Sequence, residues 1–479
     1  MSSVKRLIYL ILGPVLMIAT SVLLADVLTA PGAQAVGTSL WMIFWWIVRP
    51  VNITVTAIIP IVANAFFGMV PMTNILSQYA AESIILIIGS GLLTLPWEKI
   101  GLDRRIALKA LSLIGPSMKS QVVVWLLAAT ILSNLMPNVA VCAMLTPIAV
   151  AMLKAAGYED IKTCKPAIPI LLAIGWGVST GGAGTPLGGA MNITAISFLE
   201  AYTGKEFMYI DWIMRILPFV IIFTCIFIAY MLLMPMEVKR LEGTKEFFRE
   251  QYAELGPIKR DEKLSLTLFV IALVLIFSRP LYAAYLPTLT PAFIFLVMGF
   301  LCFFIKGEDK EPLLTWEVAQ EGTLWGMMVL FASGMALGKM LTGSGATQAL
   351  ADIIIGMNLD GGFTTVVVLV IFSRIISEVT NGTTAAALTC PIIFAFSASM
   401  NINPIPYWFV NVMAYNAEYL LPLSVRAVPV AYGLKPNNLM KYGWWQTIVN
   451  CVFVILIGWA MIKLWPNFGV LANFTWMPA

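Results

Sequence analysis

The sequence predicts an all-α integral membrane protein built from two inverted repeats, each with a re-entrant helical hairpin and a broken helix. Three observations support this prediction: an apolar composition, a repeat between the two halves, and polar breaks inside apolar segments. Of the 479 residues, 60% are hydrophobic and only 11% are charged, whereas a water-soluble domain has about 25% charged residues. Apolar runs that approach the length of a membrane span, about 20 residues, recur along the whole chain. A soluble helical protein is therefore excluded.

The residue types that are missing limit the chemistry. The chain has no histidine, which removes the commonest metal ligand and the usual proton shuttle. Its six cysteines lie singly, without the spacing of a metal cluster or a disulfide framework. The sequence also shows no nucleophile paired with a base and no phosphate-binding loop. We predict that the protein is not an enzyme, has no cofactor other than Na⁺ as a coupling ion, and binds no nucleic acid.

The distribution of Lys and Arg predicts the orientation in the membrane. Lys5 and Arg6 precede the first apolar run, and further basic clusters occur at 99–109, 154–165, 235–263, 306–310 and 435–441. Basic loops stay in the cytoplasm, so the N-terminus and the central linker are predicted to be cytoplasmic and the C-terminus outside. The first apolar run has no convincing cleavage site, and we interpret residues 1–36 as a transmembrane helix of the mature protein in the cell membrane.

The two halves of the chain align with each other. Residues 137–148 match residues 381–392 at an offset of 244, which also superposes Ser133 on Ser377 and Gly101 on Gly345. The loop after Gly101 is basic, but its counterpart after Gly345 is not, so the two repeats are predicted to be inverted. Their predicted bounds are 37–234 and 264–479, joined by a solvated cytoplasmic linker, 235–263. Inverted repeats are typical of secondary transporters, whose sites lie near the middle of the bilayer.

Each repeat contains two interrupted apolar segments. Residues 121–153 and 363–400 have two short apolar arms around a polar centre, and each arm is expected to reach only mid-membrane. They predict re-entrant hairpins with tips at 133–138 (the first tip) and 377–383 (the second tip). Broken helices are predicted at 167–199 and 404–434, with interruptions at 181–189 (the first interruption) and 416–426 (the second interruption). Unwound helices expose N–H groups that suit carboxylate or sulfate and carbonyls that suit a cation.

Four stretches of the sequence match known motifs. They are Trp45 to Pro60, Glu98 to Leu108, Trp316 to Lys339, and Ser377 to Thr380. Through them the chain resembles the divalent anion/sodium symporter family, whose members carry dicarboxylates, citrate or sulfate. The resemblance covers nearly the whole chain. It implies eleven transmembrane spans, a homodimer in the lipid bilayer, and a mobile domain that carries the site across the membrane in an elevator movement.

The resemblance also implies two groups of site residues. Substrate binding is expected at Asn138, Val139, Gly189, Thr383, Val425 and Arg426. Two sodium sites are expected, the first at Ser133, Pro137, Asn138 and Gly188 and the second at Ser377, Asn381, Gly382 and Ser424. Of the four threonines that the family has at the substrate, only Thr383 remains. Two side-chain ligands of sodium are also missing, which puts both sodium sites in question.

Arg426 and Arg49 depart from the family pattern. An Arg in mid-membrane costs about 2.5–3.5 kcal/mol on insertion scales and is seldom idle. Arg426 has three interpretations: it pairs with a substrate carboxylate, it replaces the charge that sodium supplies elsewhere in the family, or it forms an ion pair with Glu418 or Glu378. Arg49 stands where the family has Glu, and we expect it to be an interfacial residue of the scaffold.

The predicted function is secondary active transport of small organic di- or tricarboxylates. Coupling is predicted as sodium symport or sodium-independent exchange, with proton coupling through Glu378 or Glu418 as a third option. A non-transporting sensor or scaffold protein with the same fold, and a carrier of sulfate or another anion, are the alternatives.

Overall fold

A computed structural model describes residues 3–112, 115–323, 325–346, 361–379, 382–422 and 424–477. Within these ranges the chain is all-α and has only isolated β-bridges, which confirms the predicted fold class. The α-helices are α1 Ser3–Leu23, α2 Ala30–Val48, α3 Ile53–Thr56, α4 Ile59–Phe67, α5 Met72–Leu76, α6 Glu82–Ile100, α7 Leu102–Leu111, α8 Met118–Ser133, α9 Asn138–Ala155, α10 Ala167–Gly182, α11 Ala190–Thr203, α12 Tyr209–Leu233, α13 Thr244–Glu254, α14 Arg260–Phe277, α15 Arg279–Tyr282, α16 Pro291–Leu301, α17 Trp316–Gly322, α18 Trp325–Gly343, α19 Phe363–Val379, α20 Gly382–Ser399, α21 Pro404–Tyr415, α22 Ala427–Ala431 and α23 Pro436–Leu464.

Several helices have the length and composition of membrane spans. In the described part of the chain there are five: Val4–Leu23, Met72–Ile100, Asn138–Ala155, Tyr209–Leu233 and Pro436–Leu464. Shorter apolar helices of 10–17 residues accompany them. The protein is therefore a multi-pass membrane protein. The number of eleven spans and the inversion of the repeats stay predictions.

The first two helices pack closely through small residues. A Cβ on Gly37 of α2 would lie 2.5 Å from the carbonyl oxygen of Met17 in α1, which is the close backbone approach that small residues allow between membrane helices. Helix α2 begins at Ala30, and the Thr29 hydroxyl accepts a hydrogen bond from the Gly32 N–H. The predicted boundary at 36 therefore falls inside α2.

Helix pairs lie at the positions of both predicted hairpins, with longer arms than expected. The first consists of α8 and α9 with a turn at 134–137, and the second of α19 and α20. Arms of 16 and 18 residues at 1.5 Å per residue are about 24 and 27 Å long. The hydrocarbon core is about 30 Å thick. The arms of the first hairpin are therefore longer than half of a span, and the depth that each arm reaches stays a prediction.

The linker is more ordered than a solvated connection. It contains α13, and the following helix α14 begins at Arg260, earlier than the predicted boundary. Arg105 of α7 donates to the Glu262 carboxylate at 2.7 Å, and Glu262 is only 1% exposed. Gln121 of the first hairpin donates to the Thr244 hydroxyl at 2.9 Å. The linker is thus anchored to the hairpin side of the molecule.

The apolar core has two main parts. The smaller one draws its buried residues mostly from α1, α2, α4 and α18. The larger one includes both hairpins, both broken helices, α12 and α16. Residues of both tips and both broken helices share a cavity with residues of α2, α3 and α18, and these three helices form the wall opposite the tips.

Candidate anion-binding site between the hairpin tips

The first tip is tied to the broken helix beside it. Helix α8 ends at Ser133, whose hydroxyl donates to the Val178 carbonyl of α10 at 2.9 Å. Asn134 donates from its side-chain amide to the Thr130 carbonyl at 2.7 Å. Helix α9 then begins at Asn138 without a side-chain cap. Its first N–H groups, which have no partner within the helix, lie at the tip.

Uncharged side chains stabilise the first interruption. The Thr185 hydroxyl accepts from the Gly188 N–H at 3.2 Å and donates to the Asn134 carbonyl at 2.8 Å. The Asn192 side-chain amide donates to the Gly182 and Thr185 carbonyls at 2.7 and 2.9 Å. These bonds satisfy backbone groups that unwinding leaves free, which is a requirement inside a membrane.

The residues predicted for the first sodium site converge around Gly188. A Cβ on Gly188 would lie 2.5 Å from the Ser133 carbonyl oxygen and 2.6 Å from the Gly182 carbonyl oxygen. A Cβ on Gly182 would lie 3.3 Å from the Asn138 side-chain amide nitrogen. Pro137 is the N-cap residue beside Asn138. The carbonyl oxygens gathered here are suitable ligands for a hard cation.

The second tip has a different character because charged groups meet behind it. The Glu378 carboxylate accepts from the backbone N–H groups of Tyr419 at 2.7 Å and Leu420 at 3.1 Å. Arg426 donates to Glu378 and to Glu418, each at 2.9 Å. Glu378 therefore satisfies backbone groups of the second interruption and at the same time anchors Arg426.

Arg426 itself is 0% exposed. Of the three interpretations of Arg426, the two ion pairs match the one in which Glu418 or Glu378 is its partner. The structure shows that Arg426 pairs with both carboxylates at the same time. The guanidinium lies behind the surface of the site, so a direct contact with substrate is not present in this conformation.

The residues predicted for the second sodium site surround these ion pairs. The Ser377 hydroxyl donates to the Arg374 carbonyl at 3.2 Å. A Cβ on Gly382 would lie 3.1 Å from a Glu418 carboxylate oxygen. Asn381 lies outside the described residues, and Ser424 begins the 3₁₀ turn that contains Arg426. A guanidinium therefore occupies this region, which fits a sodium ion less well than the oxygen-lined region around Gly188.

Sequence reasoning missed a second buried arginine. Arg374 is 4% exposed, and none of its side-chain nitrogens has a hydrogen-bond partner among the described residues. Its guanidinium carbon lies 5.6 Å from the centre of the Tyr419 ring. The signal was available, because Arg374 precedes Glu378 by four residues in an apolar helix and thus shares its face. Together with Arg426 and Glu418, these residues form a buried cluster of two positive and two negative charges, the charged quartet.

The two interruptions meet directly. The Asn416 side-chain amide donates to the Asn192 side-chain oxygen at 2.9 Å, and both residues are buried. Asn192 follows the first interruption, and Asn416 begins the second. A buried hydrogen bond therefore joins the two interruptions.

A chamber of about 210 Å³ lies between the tips and the wall formed by α2, α3 and α18. Four of the six predicted substrate residues line it: Asn138, Val139, Thr383 and Val425. Gly189 is not among the lining residues, but the adjacent Ala190 is. The sequence did not predict the contributions of Ser179, Asn416, Glu418 or Arg49, which come from separate segments. The chamber is smaller than the roughly 300–1,000 Å³ of sites for drug-sized ligands, which suits a small anion.

The chamber borders a larger cavity of about 850 Å³, the vestibule. Asn138, Val139, Ala190 and Phe331 line both cavities. The vestibule extends to Lys99, Arg104 and the linker helix α13, where Phe247 and Gln251 contribute to it. The chamber is thus adjacent to a wide opening on the side of the linker.

Comparisons with known proteins agree with this architecture. A sequence model of the citrate transporter family matches residues 43–414. The chain is 26% identical over 487 residues to the sodium-dependent dicarboxylate transporter SdcS of Staphylococcus saprophyticus, covering 98% of this chain and 93% of the relative. It is 27% identical over 474 residues to SdcS of Staphylococcus aureus, covering 95% and 91%. These matches confirm the predicted resemblance. They also confirm the prediction that the protein is a transporter and not an enzyme.

Two solved structures share the fold. The YdaH transporter of Alcanivorax borkumensis has a TM-score of 0.54 at 10% identity, covering 83% of this chain and 89% of that one. MtrF of Neisseria gonorrhoeae has a TM-score of 0.54 at 13% identity, covering 88% and 94%. At such low identity the likeness concerns the fold alone.

Proposed function

Because the chain belongs to the citrate transporter family, we propose that it carries small organic di- or tricarboxylate anions across the cell membrane. The observation that supports this most is the chamber, in which residues of both tips and both broken helices converge. Asn138 and Thr383 offer amide and hydroxyl donors there, and such donors suit carboxylate oxygens. The staphylococcal relatives are named for dicarboxylates, which favours this substrate class over sulfate.

The proposed mechanism is an elevator movement. The tips and interruptions belong to one apolar core, whereas much of the opposite wall belongs to another, so the hairpin side moves as a unit against α2 and α18. The vestibule reaches Lys99 and Arg104, and basic loops are cytoplasmic. We therefore interpret this structure as the inward-facing state, with the N-terminus in the cytoplasm and the C-terminus outside.

We further propose that one sodium ion accompanies the anion. It would bind near Gly188, close to the Ser133 and Gly182 carbonyl oxygens. In the second repeat, Arg426 and Arg374 supply permanent positive charge beside Glu378 and Glu418. A second sodium ion is therefore unnecessary there, and the expected dependence of uptake on sodium concentration is hyperbolic rather than sigmoidal.

Sodium-independent exchange is the second candidate, and Arg426 is the observation that favours it. Arg426 is 0% exposed and is held by Glu378 and Glu418, so a built-in cation takes the place that a coupling ion would have in the second repeat. A carrier with a built-in cation does not need a sodium gradient, and exchange of one anion for another is then the remaining mode of transport.

The test is uptake of radiolabelled succinate into proteoliposomes, with and without an inward sodium gradient and with and without succinate inside. Sodium-driven uptake into empty vesicles supports symport. Uptake that requires internal succinate and ignores sodium supports exchange. If succinate, citrate and sulfate all fail under every condition, the proposal is wrong, and a non-transporting protein with this fold is the better interpretation.

A further inference from the structure

The two walls of the chamber differ in their charge. On the side of the tips, the lining residue with a formal charge is Glu418, which already pairs with Arg426 at 2.9 Å. On the opposite wall, Arg49 lines the chamber together with Trp46, Ile53, Leu330 and Phe331. Among the described residues, the Arg49 side chain has no ion pair and no hydrogen bond. Arg49, an exposed residue on the α2 side, is therefore the uncompensated positive charge among the described residues that line the chamber.

The backbone of Arg49 is held in a specific conformation. Arg49 is the C-cap of α2, with φ 51° and ψ 55°, and its N–H donates to the Trp45 carbonyl at 2.9 Å. A residue other than glycine is uncommon in this left-handed region. The next residue is Pro50, whose carbonyl accepts a hydrogen bond from Arg6 at 3.0 Å. These constraints direct the chain from α2 into α3 and position Arg49 at the edge of the chamber.

We propose that Arg49 binds the substrate anion in this state of the carrier only, and thereby sets a different affinity on each side of the membrane. This inference rests on the proposed function. A guanidinium can bind a carboxylate through two parallel hydrogen bonds. Arg49 lies on the α2 and α18 wall, so it stays in place when the tips move with the anion. The contact exists while the chamber borders the vestibule and is broken in the opposite state.

The consequence follows from linkage. A ligand shifts a conformational equilibrium only by the difference of its affinities for the two states. An anion that gains the Arg49 contact in one state favours that state and binds more tightly from the vestibule side. Arg49 is thus a substrate-binding residue in one half of the transport cycle.

The test measures equilibrium binding of radiolabelled succinate to the purified carrier, locked by an engineered disulfide either with the chamber open to the vestibule or in the opposite state. Charge-assisted hydrogen bonds are worth about 1.5–3 kcal/mol, so Arg49→Gln is expected to weaken binding to the vestibule-open carrier about ten- to a hundredfold. Binding to the carrier locked in the opposite state is expected to stay within about twofold, since removal of the contact changes only one state. Arg49→Lys keeps the charge but loses the paired hydrogen bonds, so a smaller change in the same direction is expected.

Lys99→Gln is the matched control because Lys99 lines the adjoining vestibule and, like Arg49, carries one positive charge. If Arg49 acts only through the overall potential, Lys99→Gln produces the same asymmetry, and this result overturns the proposal. An equal change in both locked states, or no change, in either Arg49 variant overturns it as well. If Arg49→Gln does not reach the membrane, Arg49→Lys decides by the same criterion. Absence of transport by the unmodified protein contradicts the proposed function itself, and so the two failures are distinguishable.

Discussion

The first and second interruptions meet the same requirement with different chemistry. In the first, uncharged side chains satisfy the free backbone groups. The Thr185 hydroxyl accepts from the Gly188 N–H, and the Asn192 side-chain amide donates to the Gly182 and Thr185 carbonyls. In the second, the Glu378 carboxylate accepts two backbone N–H groups and holds Arg426. Both solutions satisfy polar groups that apolar surroundings would leave unpaired.

This difference has consequences for ion binding. A neutral interruption leaves carbonyl oxygens near Gly188 that have no positive charge beside them, and such oxygens suit a cation that comes and goes. The second interruption already contains its cations, Arg426 and Arg374. The two interruptions lie at corresponding places in the sequence. The first thus suits an exchangeable cation, whereas the second already contains permanent positive charges.

The largest expected effect is on stability, from a substitution in the charged quartet behind the second tip. Glu378→Gln removes one negative charge from the charged quartet and weakens the bonds to Arg426 and the Tyr419 N–H. Breaking a buried ion pair by removal of one partner is destabilising by about 3–5 kcal/mol. We expect a large drop in the thermal unfolding midpoint of the purified protein in detergent.

Two further variants make this comparison specific. Glu378→Gln combined with Arg426→Gln restores equal numbers of positive and negative charges, and it is expected to be more stable than Glu378→Gln alone. Asn192→Ala, in the neutral half, removes uncharged hydrogen bonds and is expected to destabilise by about 1–3 kcal/mol. If Asn192→Ala destabilises as much as Glu378→Gln, the charges have no special role in holding the second interruption.

The next effect is on transport rather than on stability. Gly188→Ala places a Cβ 2.5 Å from the Ser133 carbonyl oxygen, so the carbonyl oxygens must move apart. We expect sodium-driven succinate uptake to fall at least tenfold at low sodium and to recover partly at high sodium. Radiolabelled uptake across a sodium titration measures this.

Gly175→Ala is the control for the preceding substitution. It also adds a methyl group to the first broken helix, but its Cβ meets only Pro429 at 3.7 Å, an ordinary contact. Its uptake and sodium dependence are expected to match those of the unmodified protein. Loss of sodium dependence in both variants would contradict the assignment of the cation to the region of Gly188.

Much of this arrangement is predictable from the sequence. Glycine and proline inside apolar segments locate the interruptions, and polar residues between short apolar arms locate the tips, because both depend on local residue types. An ion pair with Glu418 or Glu378 was one of the three interpretations of Arg426, since a buried charge needs a partner. That Glu378 and Glu418 share it was not predictable, because Glu378 lies 48 residues from Arg426 in the chain.

Other features depend on packing that no local pattern records. Arg49 was expected at an interface of the scaffold, and only the approach of the tips to α2 brings it to the chamber. The linker was expected to be solvated because it is rich in charges, but Glu262 is buried against Arg105. Arm lengths were underestimated because polar residues near the tips continue the helices. In each case the missing information is which surfaces face each other.

The smallest expected effect tests what stabilises the charged quartet. Arg374 makes no hydrogen bond with the described residues and only stacks on Tyr419, a contact worth about 0.5–2 kcal/mol. Arg374→Gln removes this contact, but it also removes a buried charged group without hydrogen-bond partners, and such a group is itself destabilising. We therefore expect its unfolding free energy to change by about 1 kcal/mol or less, against about 3–5 kcal/mol for Arg426→Gln. Thermal unfolding of both variants in the same detergent decides the matter. If Arg374→Gln and Arg426→Gln destabilise the protein equally, the hydrogen bonds of Arg426 are not what stabilises the second interruption. The balance of positive and negative charge in the charged quartet then stabilises it.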